Sequence, residues 1–228
     1  MCLANSRKPP SGRCVAGKRF ENGTAAEWIR PVSARASHEV SEEEQRYESG
    51  KTTQLLDIVS VPLLKATPAG HQVENHTLDD KYYWKKTGVA TWKQVLMAAD
   101  AYDSKFWSAS QSTYHGINDK VAAADVAKIG CSLKLVHLPK LQILVRSESG
   151  FEDNPARRRV RAQFTIKSES YLLSVTDPEI DDAYLTKGNG TYDFEESVLC
   201  ISLAEVWNGF AFRVVASVIT PERCAAAK

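Results

Sequence analysis

The sequence predicts a mainly β protein in which two strand-rich regions flank a partly helical connector. Short runs of apolar and β-branched residues alternate with turn-forming residues towards both ends of the 228-residue chain. The middle of the chain instead carries apolar residues at helical spacing. We therefore divide the chain into a first β-rich region at 1–75, a connector at 76–130 and a second β-rich region at 131–228.

The first region contains short apolar runs separated by turn-forming residues, which is the pattern of short strands. Ser41 and Glu44 have the spacing of a capping box. In that arrangement the hydroxyl accepts from one backbone amide and the carboxylate accepts from the amide of the capping residue. One or two helical turns are therefore expected between the strands. The turn signals are Pro9-Pro10-Ser11-Gly12, Asn22-Gly23, Ser49-Gly50 and Pro68-Ala69-Gly70.

The connector is where we expect a helix. Thr91 suits the N-cap, because its hydroxyl can accept from an amide of the first turn. Residues 108–119 predict a polar loop, and 120–130 are ambiguous because alanine favours helix but the segment is short. The apolar residues at helical spacing are Trp92, Val95, Leu96, Ala99 and Phe106.

The second region has clear strand boundaries. Pro139 divides an apolar run into two strands, because proline cannot donate to a ladder. Asp177 suits a helix N-cap and Pro178 the first helical position. Asn208-Gly209 predicts a tight hairpin turn, since both central residues of such a turn need positive φ.

One strand of the second region shows a period of two, which predicts one buried and one wet face. The apolar face holds Val160, Ala162, Phe164 and Ile166. The opposite face is cationic and holds Arg159, Arg161, Gln163, Thr165 and Lys167.

Composition limits the classes of function. The net charge of +1 excludes polyanion binding by bulk charge, so any such role must come from local patches. The polar segment after the first four residues argues against a signal peptide. The absence of an apolar run near the roughly 20 residues that span a bilayer argues against a membrane partner.

The cysteines point to reduced thiols and a cytoplasmic location. Their number is odd and no CxxC pair exists, which argues against a disulfide framework or a zinc ribbon. Cys14 lies between Arg13 and Lys18, and nearby cations can make a thiol reactive. The alternative is a strand cysteine that faces the core. The five cysteines are Cys2, Cys14, Cys131, Cys200 and Cys224.

Several segments share a recognisable pattern, in order "CLANSRKPPSGRCVAGK", "EWIRPVS", "LLDIVSVPLL" with "HQVENH", "YLLSVTDPE" and "LCISLAEVWNGFAFRVVASVI". These segments, which extend along nearly the whole chain, resemble a bacterial family of dual OB-domain proteins. The resemblance implies two OB-like small β-barrels joined by the connector. OB folds commonly bind single-stranded nucleic acid or oligosaccharide on one barrel face and its bordering loops. The resemblance implies no catalytic residue.

The first 35 residues carry seven Lys or Arg against two Glu, a local charge of +5. Cations with polar, amide-rich loops are the groups that bind phosphate. Trp28 could stack on a base, which is worth about 1–3 kcal/mol. The alternative is that the charges lie on solvated strand faces and Trp28 lies in the core. The predicted nucleic-acid contacts here are Asn5, Ser6, Arg7, Lys8, Arg13, Lys18, Trp28 and Arg30.

A second cationic cluster lies at 154–167, which has five cations and no acid. The planar guanidinium of arginine can bond two oxygens of a phosphate at once. Residues 169–196 hold eight acids and one lysine, so internal pairing is an alternative, and a protein–protein contact is another. The predicted contacts here are Arg157, Arg158, Arg159 and Arg161.

Two further sets of residues have the side-chain types of a catalytic or metal site, but their spacing supports neither strongly. His71, Glu74 and His76 are metal-ligand types, but their spacing matches neither HExxH nor a zinc finger, so structural hydrogen bonding is favoured. A hydrolytic site has no supporting nucleophile-elbow motif, and residues so close in sequence rarely aim at one another. That second set is Ser112, His115 and Asp119.

The sequence therefore predicts a non-enzymatic binding module for nucleic acid, most plainly a single strand of DNA or RNA. No phosphate-binding glycine loop is present, and no cofactor is expected. One alternative is a metal- or His-dependent enzyme acting on nucleotides or nucleic acid. Another is an adaptor that binds a protein partner or a small ligand.

Overall fold

The computed structural model describes residues 1–8, 11–101, 107, 110–149 and 155–228. Strands account for 51% of the residues and helices for 12%, so the predicted mainly β class is confirmed. Pro9 and Pro10 of the first predicted turn, and Phe106 of the predicted helix, lie outside the described residues.

Seven strands form the first half of the molecule. They are β1 (Cys2–Lys8), β2 (Gly12–Glu21), β3 (Thr24–Val32), β4 (Asp57–Ser60), β5 (Leu63–Ala66), β6 (Asn75–Leu78) and β7 (Lys85–Val89). Five of them make a sheet in the order β1-β2-β3-β6-β5, while β4 and β7 pair separately. Strands of the first half therefore continue beyond residue 75.

The remaining strands belong to one nine-stranded sheet. They are β8 (Ser110–Gln111), β9 (Lys120–Ala122), β10 (Leu133–Leu138), β11 (Leu141–Glu148), β12 (Arg157–Ile166), β13 (Glu169–Val175), β14 (Gly190–Phe194), β15 (Ser197–Leu203) and β16 (Phe210–Ile219). The main path runs β10-β15-β16-β13-β12-β11-β14, and β9 pairs with both β16 and β8.

The two halves share one strand order. In each, three antiparallel strands are followed by a parallel pairing of the third strand with the fifth, and the fifth pairs antiparallel with the fourth. The first set is β1-β2-β3-β6-β5 and the second is β11-β12-β13-β16-β15. This 1-2-3-5-4 order is that of the partly open OB barrel. Among the described strands, no ladder joins β1 to β5 or β11 to β15, so both sheets stay open.

The predicted caps form. Thr91 and Gln94 make a capping box at the first helix, and the Asp177 carboxylate accepts from two amides of the third. Ser41 and Glu44 exchange the expected bonds, with the Ser41 amide 2.7 Å from Glu44 Oε2, but their segment forms turns rather than a helix. The helices are α1 (Trp92–Ala98), α2 (Ala123–Val126), α3 (Pro178–Leu185) and α4 (Pro221–Ala226).

The tight turns also form as predicted. Asn22 and Gly23 have φ of 51° and 79° between β2 and β3, and Asn208 and Gly209 have φ of 47° and 81° between β15 and β16. Positive φ at both central residues gives the turn a twist that matches the strands it joins. The connections at these hairpins are therefore held in one conformation.

One apolar core is shared by the two halves. Leu3 and Ala16 of the first half belong to the same buried cluster as Leu135, Val198 and Cys200 of the second. Burial of these apolar side chains stabilises the contact between the halves, because apolar area is removed from water. The loops of the two halves are thereby held in fixed relative positions.

Within the described residues, every helix is too short and too polar to cross a lipid bilayer.

Candidate functional site

A groove of about 500 Å³ opens on the first half at the loop ends of its sheet. Its walls come from the ends of β1, β2 and β3 and from the β5–β6 connection, and one residue comes from the β15–β16 connection of the second half. In OB folds, strands 2 and 3 and the 1–2 and 4–5 loops form the ligand-binding face. We call this feature the cationic groove; its lining includes Lys8, Arg13, Cys14, Arg30, Lys65 and Glu205.

Two of its cations are uncompensated. The Lys8 ammonium lies 3.0 Å from the Glu205 carboxylate, so this pair is neutral overall. Arg13 and Lys65 make no ion pair with any carboxylate of the described residues. The groove therefore carries a local excess of positive charge, which attracts anions.

Arg13 is the most informative of these cations. Its amide donates to the Val40 carbonyl at 2.8 Å and its carbonyl accepts from the Val40 amide at 2.9 Å, which fixes the backbone. Its side chain is half-buried, and Nη1 is buried without a hydrogen-bond acceptor among the described residues. Arg13 lines both the cationic groove and a neighbouring pocket that Glu42, Asp177 and Glu179 also line. Buried donors are nearly always paired, so a guanidinium donor without an acceptor between these two pockets is a candidate to bind an oxyanion.

Arg7 links the first basic segment to α3 through ion pairs. Its guanidinium bonds Asp181 and Asp182, each at 2.6 Å. Burial raises the pKa of Asp181 above its ordinary value of 3.8, against the lowering effects of Arg7 and Arg159. The two basic segments therefore converge on α3, but its carboxylates neutralise part of their charge.

Two predicted phosphate contacts lie inside the protein. Lys18, only 9% exposed, pairs with Asp100 and donates to the Ala98 carbonyl at 2.8 Å. Arg30 lies 3.0 Å from the Glu74 carboxylate beneath the cationic groove. Both cations are enclosed and neutralised, so they stabilise the fold around the groove.

The arginines of the second basic cluster have different environments: one is buried in an ion pair and the others lie at the surface. Arg161 is buried, with Nη2 2.8 Å from Glu148 Oε2, because the connector covers that part of the predicted wet face. Arg158 donates to the Leu185 carbonyl at 2.9 Å and to Asn189 Oδ1 at 3.2 Å, and so holds the α3–β14 connection. Arg157, Arg158 and Arg159 are all exposed, and of these Arg158 is the one held by the bonds just described. The apolar face of this strand is buried as predicted.

The polar and aromatic residues predicted to contact nucleic acid in the first segment contact other parts of the protein instead. Asn5 Nδ2 donates to the Thr53 carbonyl at 2.6 Å, and Ser6 is buried. Trp28 is half-buried and packs on the shared core, with Lys18 Nζ 5.2 Å from its ring centroid. These residues support the groove region from within.

Trp207 is an exposed aromatic that sequence reasoning missed, as are Tyr82, Tyr83 and Tyr114. Trp207 is 67% exposed and directly precedes the Asn208-Gly209 turn. The turn was itself a sequence signal, since a side chain beside a hairpin turn often lies in solvent.

The histidines bond to backbone rather than forming a metal site. His71 Nε2 lies 3.0 Å from the Ala204 carbonyl, and His76 Nδ1 lies 2.9 Å from the Glu74 carbonyl. Because carbonyl oxygens only accept, each of these ring nitrogens is the donor. Among the described residues, no group of three or more His, Cys, Asp and Glu is arranged so that it could hold a metal ion.

The Ser–His–Asp set does not assemble. His115 Nε2 lies 3.1 Å from Ser149 Oγ, whereas the Asp119 carboxylate accepts from the Thr113 hydroxyl at 2.6 Å. The Ser112 hydroxyl accepts from the Asn118 amide instead. The three groups therefore have separate partners and form no relay.

Comparison with known proteins agrees with the strand order. A family model described as the dual OB-containing domain matches residues 1–218. No curated protein and no solved structure matches the chain significantly.

Proposed function

The chain belongs to the dual OB-containing domain family, and on that premise we propose that it binds single-stranded DNA or RNA in the cationic groove. OB domains commonly hold single strands with a positively charged groove that follows the backbone. The groove occupies the corresponding face of the first half. Net charge contributes little to this binding, because it is only +1.

The observation that carries the proposal is Arg13, which forms no ion pair with a carboxylate of the described residues and whose Nη1 has no acceptor among them. A phosphate oxygen is the acceptor that a planar guanidinium bonds best, through two parallel hydrogen bonds. Lys65 adds a second uncompensated charge, and Lys8 can exchange Glu205 for a phosphate because that pair is partly exposed. Three phosphate contacts are therefore expected in the groove.

A second contact strip extends from the groove past α3. Lys8 lines the groove, the preceding Arg7 bonds Asp181, and Arg159 also acts on Asp181 from β12. We expect the exposed Arg157 and Arg159 to contact a strand that leaves the groove in this direction.

The test is a fluorescence anisotropy titration of fluorescein-labelled oligo(dT) and oligo(rU) over a range of salt. For roughly three phosphate contacts, log Kobs should fall with log[salt] at a slope of about −2. Arg13→Gln and Lys65→Gln should each reduce that slope by about 0.7. Lys140→Gln is the matched control, because Lys140 is exposed and outside the groove lining.

Two outcomes would contradict the proposal. One is the absence of binding to either oligonucleotide at low salt. The other is binding that Arg13→Gln and Lys140→Gln leave equally unchanged, which would place the ligand elsewhere.

A further inference from the structure

Trp207 stands apart from the other tryptophans. All five lie in the described part of the chain: Trp84 and Trp107 are buried, Trp28 and Trp92 are half-buried, and Trp207 is 67% exposed. The adjacent Val206 is also exposed. Together the two side chains present apolar area to solvent, and an indole ring offers a large flat face that a ligand can cover.

The hairpin holds Trp207 in place. Its amide donates to the Phe210 carbonyl at 2.8 Å, and the Phe210 amide donates back at 3.0 Å. The indole also lies against Phe212, with ring centroids 6.3 Å apart. A ring held in this way loses little conformational freedom when a ligand binds.

The same connection reaches the cationic groove. Glu205, two residues before Trp207, lines the groove and pairs with Lys8 at 3.0 Å. Two residues of extended chain span at most about 7 Å, so the Trp207 backbone lies within that distance of Glu205, which lines the groove. His71 of the β5–β6 connection binds the Ala204 carbonyl at 3.0 Å, which fixes the two connections to each other.

We infer that Trp207 is the base-stacking platform of the cationic groove. This inference rests on the proposed function. It adds to that function that both halves of the molecule contribute side chains to the binding site. The first half supplies Arg13 and Lys65 for phosphates, and the second half supplies an aromatic face for an unpaired base. Stacking needs an unpaired base, so the ligand class is a single strand with its bases exposed.

The test compares an oligo(dT) with an abasic oligonucleotide of the same length, which keeps the phosphates but has no bases. Trp207→Ala should weaken oligo(dT) binding roughly 5- to 150-fold and leave abasic binding unchanged. Trp207→Phe should restore most of the affinity, because phenylalanine keeps an aromatic face. Tyr114→Ala is the control, since Tyr114 is 93% exposed and outside the groove lining.

The outcomes separate the two claims. If Trp207→Ala binds oligo(dT) as the wild type does while Arg13→Gln still lowers the salt slope, the stacking role is overturned and the proposed function stands. If the wild type binds neither oligonucleotide, both are overturned. If Trp207→Ala unfolds at the same temperature as the wild type, any lost affinity does not come from unfolding.

Discussion

The guanidinium of Arg30 lies 3.0 Å from the carboxylate of Glu74, and both side chains are almost fully buried. Arg30 also donates to Ser132 Oγ at 2.8 Å and Ser202 Oγ at 3.3 Å, both in the second half. The sequence predicts a phosphate contact for Arg30, whereas for Glu74 it favours structural hydrogen bonding over metal binding. In the structure each of the two side chains neutralises the other, and together they link the two halves.

Breaking this pair should destabilise the protein strongly. Arg30→Met leaves the Glu74 carboxylate buried without a counter-charge, which should cost about 3–5 kcal/mol of unfolding free energy. Arg30→Met with Glu74→Gln should cost less, because the uncompensated charge is gone. Urea denaturation measures both, and a loss below about 0.5 kcal/mol for Arg30→Met would show that the pair is not a structural link.

Cys14 should be the thiol that iodoacetamide labels first at pH 8. Burial raises the pKa of Cys131 and of Cys224 to about 11 and that of Cys2 to about 12, and it also raises the pKa of Cys200. The thiolate is the reactive form, so these four react slowly. Peptide mapping after short exposure identifies the labelled residue.

The same experiment reports on the groove, because Cys14 lines it. Bound oligonucleotide should slow the labelling of Cys14, and urea should abolish that protection. Labelling of Cys131 or Cys224 ahead of Cys14 would contradict the burial pattern.

Glu148 should contribute stability that disappears in acid. Burial alone would raise its pKa, but hydrogen bonds and charge from Arg161 overcome burial and hold the pKa below 4.5. A lowered folded-state pKa stabilises the fold above about pH 4.5, and this stability is lost as pH falls through the folded-state pKa. Urea midpoints between pH 6 and pH 3 should fall more steeply for the wild type than for Glu148→Gln. Parallel curves would rule out this contribution.

Arg158 and Arg159 are adjacent but should have different roles. Arg158→Gln removes bonds to the Leu185 carbonyl and Asn189, so it should cost about 1 kcal/mol of stability with allowance for exposure. Arg159→Gln should leave stability within about 0.5 kcal/mol. With an oligonucleotide long enough to reach the contact strip, for which the wild-type slope is steeper than the groove's own value of about −2, it should reduce the salt slope by about 0.7. If Arg159→Gln destabilises the protein while Arg158→Gln lowers the salt slope, Arg159 does not belong to the contact strip.

Local features were predictable from the sequence because nearby residues determine them. The caps at Thr91 and Asp177 need only the following turn of helix, and Asn208-Gly209 needs only its own φ values. The strand alternation at 160–166 likewise follows from the period of the pleat.

The pairing of charges was not predictable in the same way. Arg7 bonds Asp181 from 174 residues away, and Lys18 bonds Asp100 from 82 residues away. Such pairs depend on how the two halves pack, which a local pattern does not contain. Trp207 lies far from both basic segments in the sequence, so local charge pointed to Trp28 instead, although the neighbouring Asn-Gly turn marked an exposed hairpin end.

The salt dependence of oligonucleotide binding by the wild type and Arg13→Gln tests the central claim most directly. The account predicts that the wild type binds oligo(dT) with a slope of about −2 and that Arg13→Gln flattens it to about −1.3, with Lys140→Gln unchanged. A wild-type protein that binds no oligonucleotide at low salt, or an Arg13→Gln slope equal to that of Lys140→Gln, would contradict it.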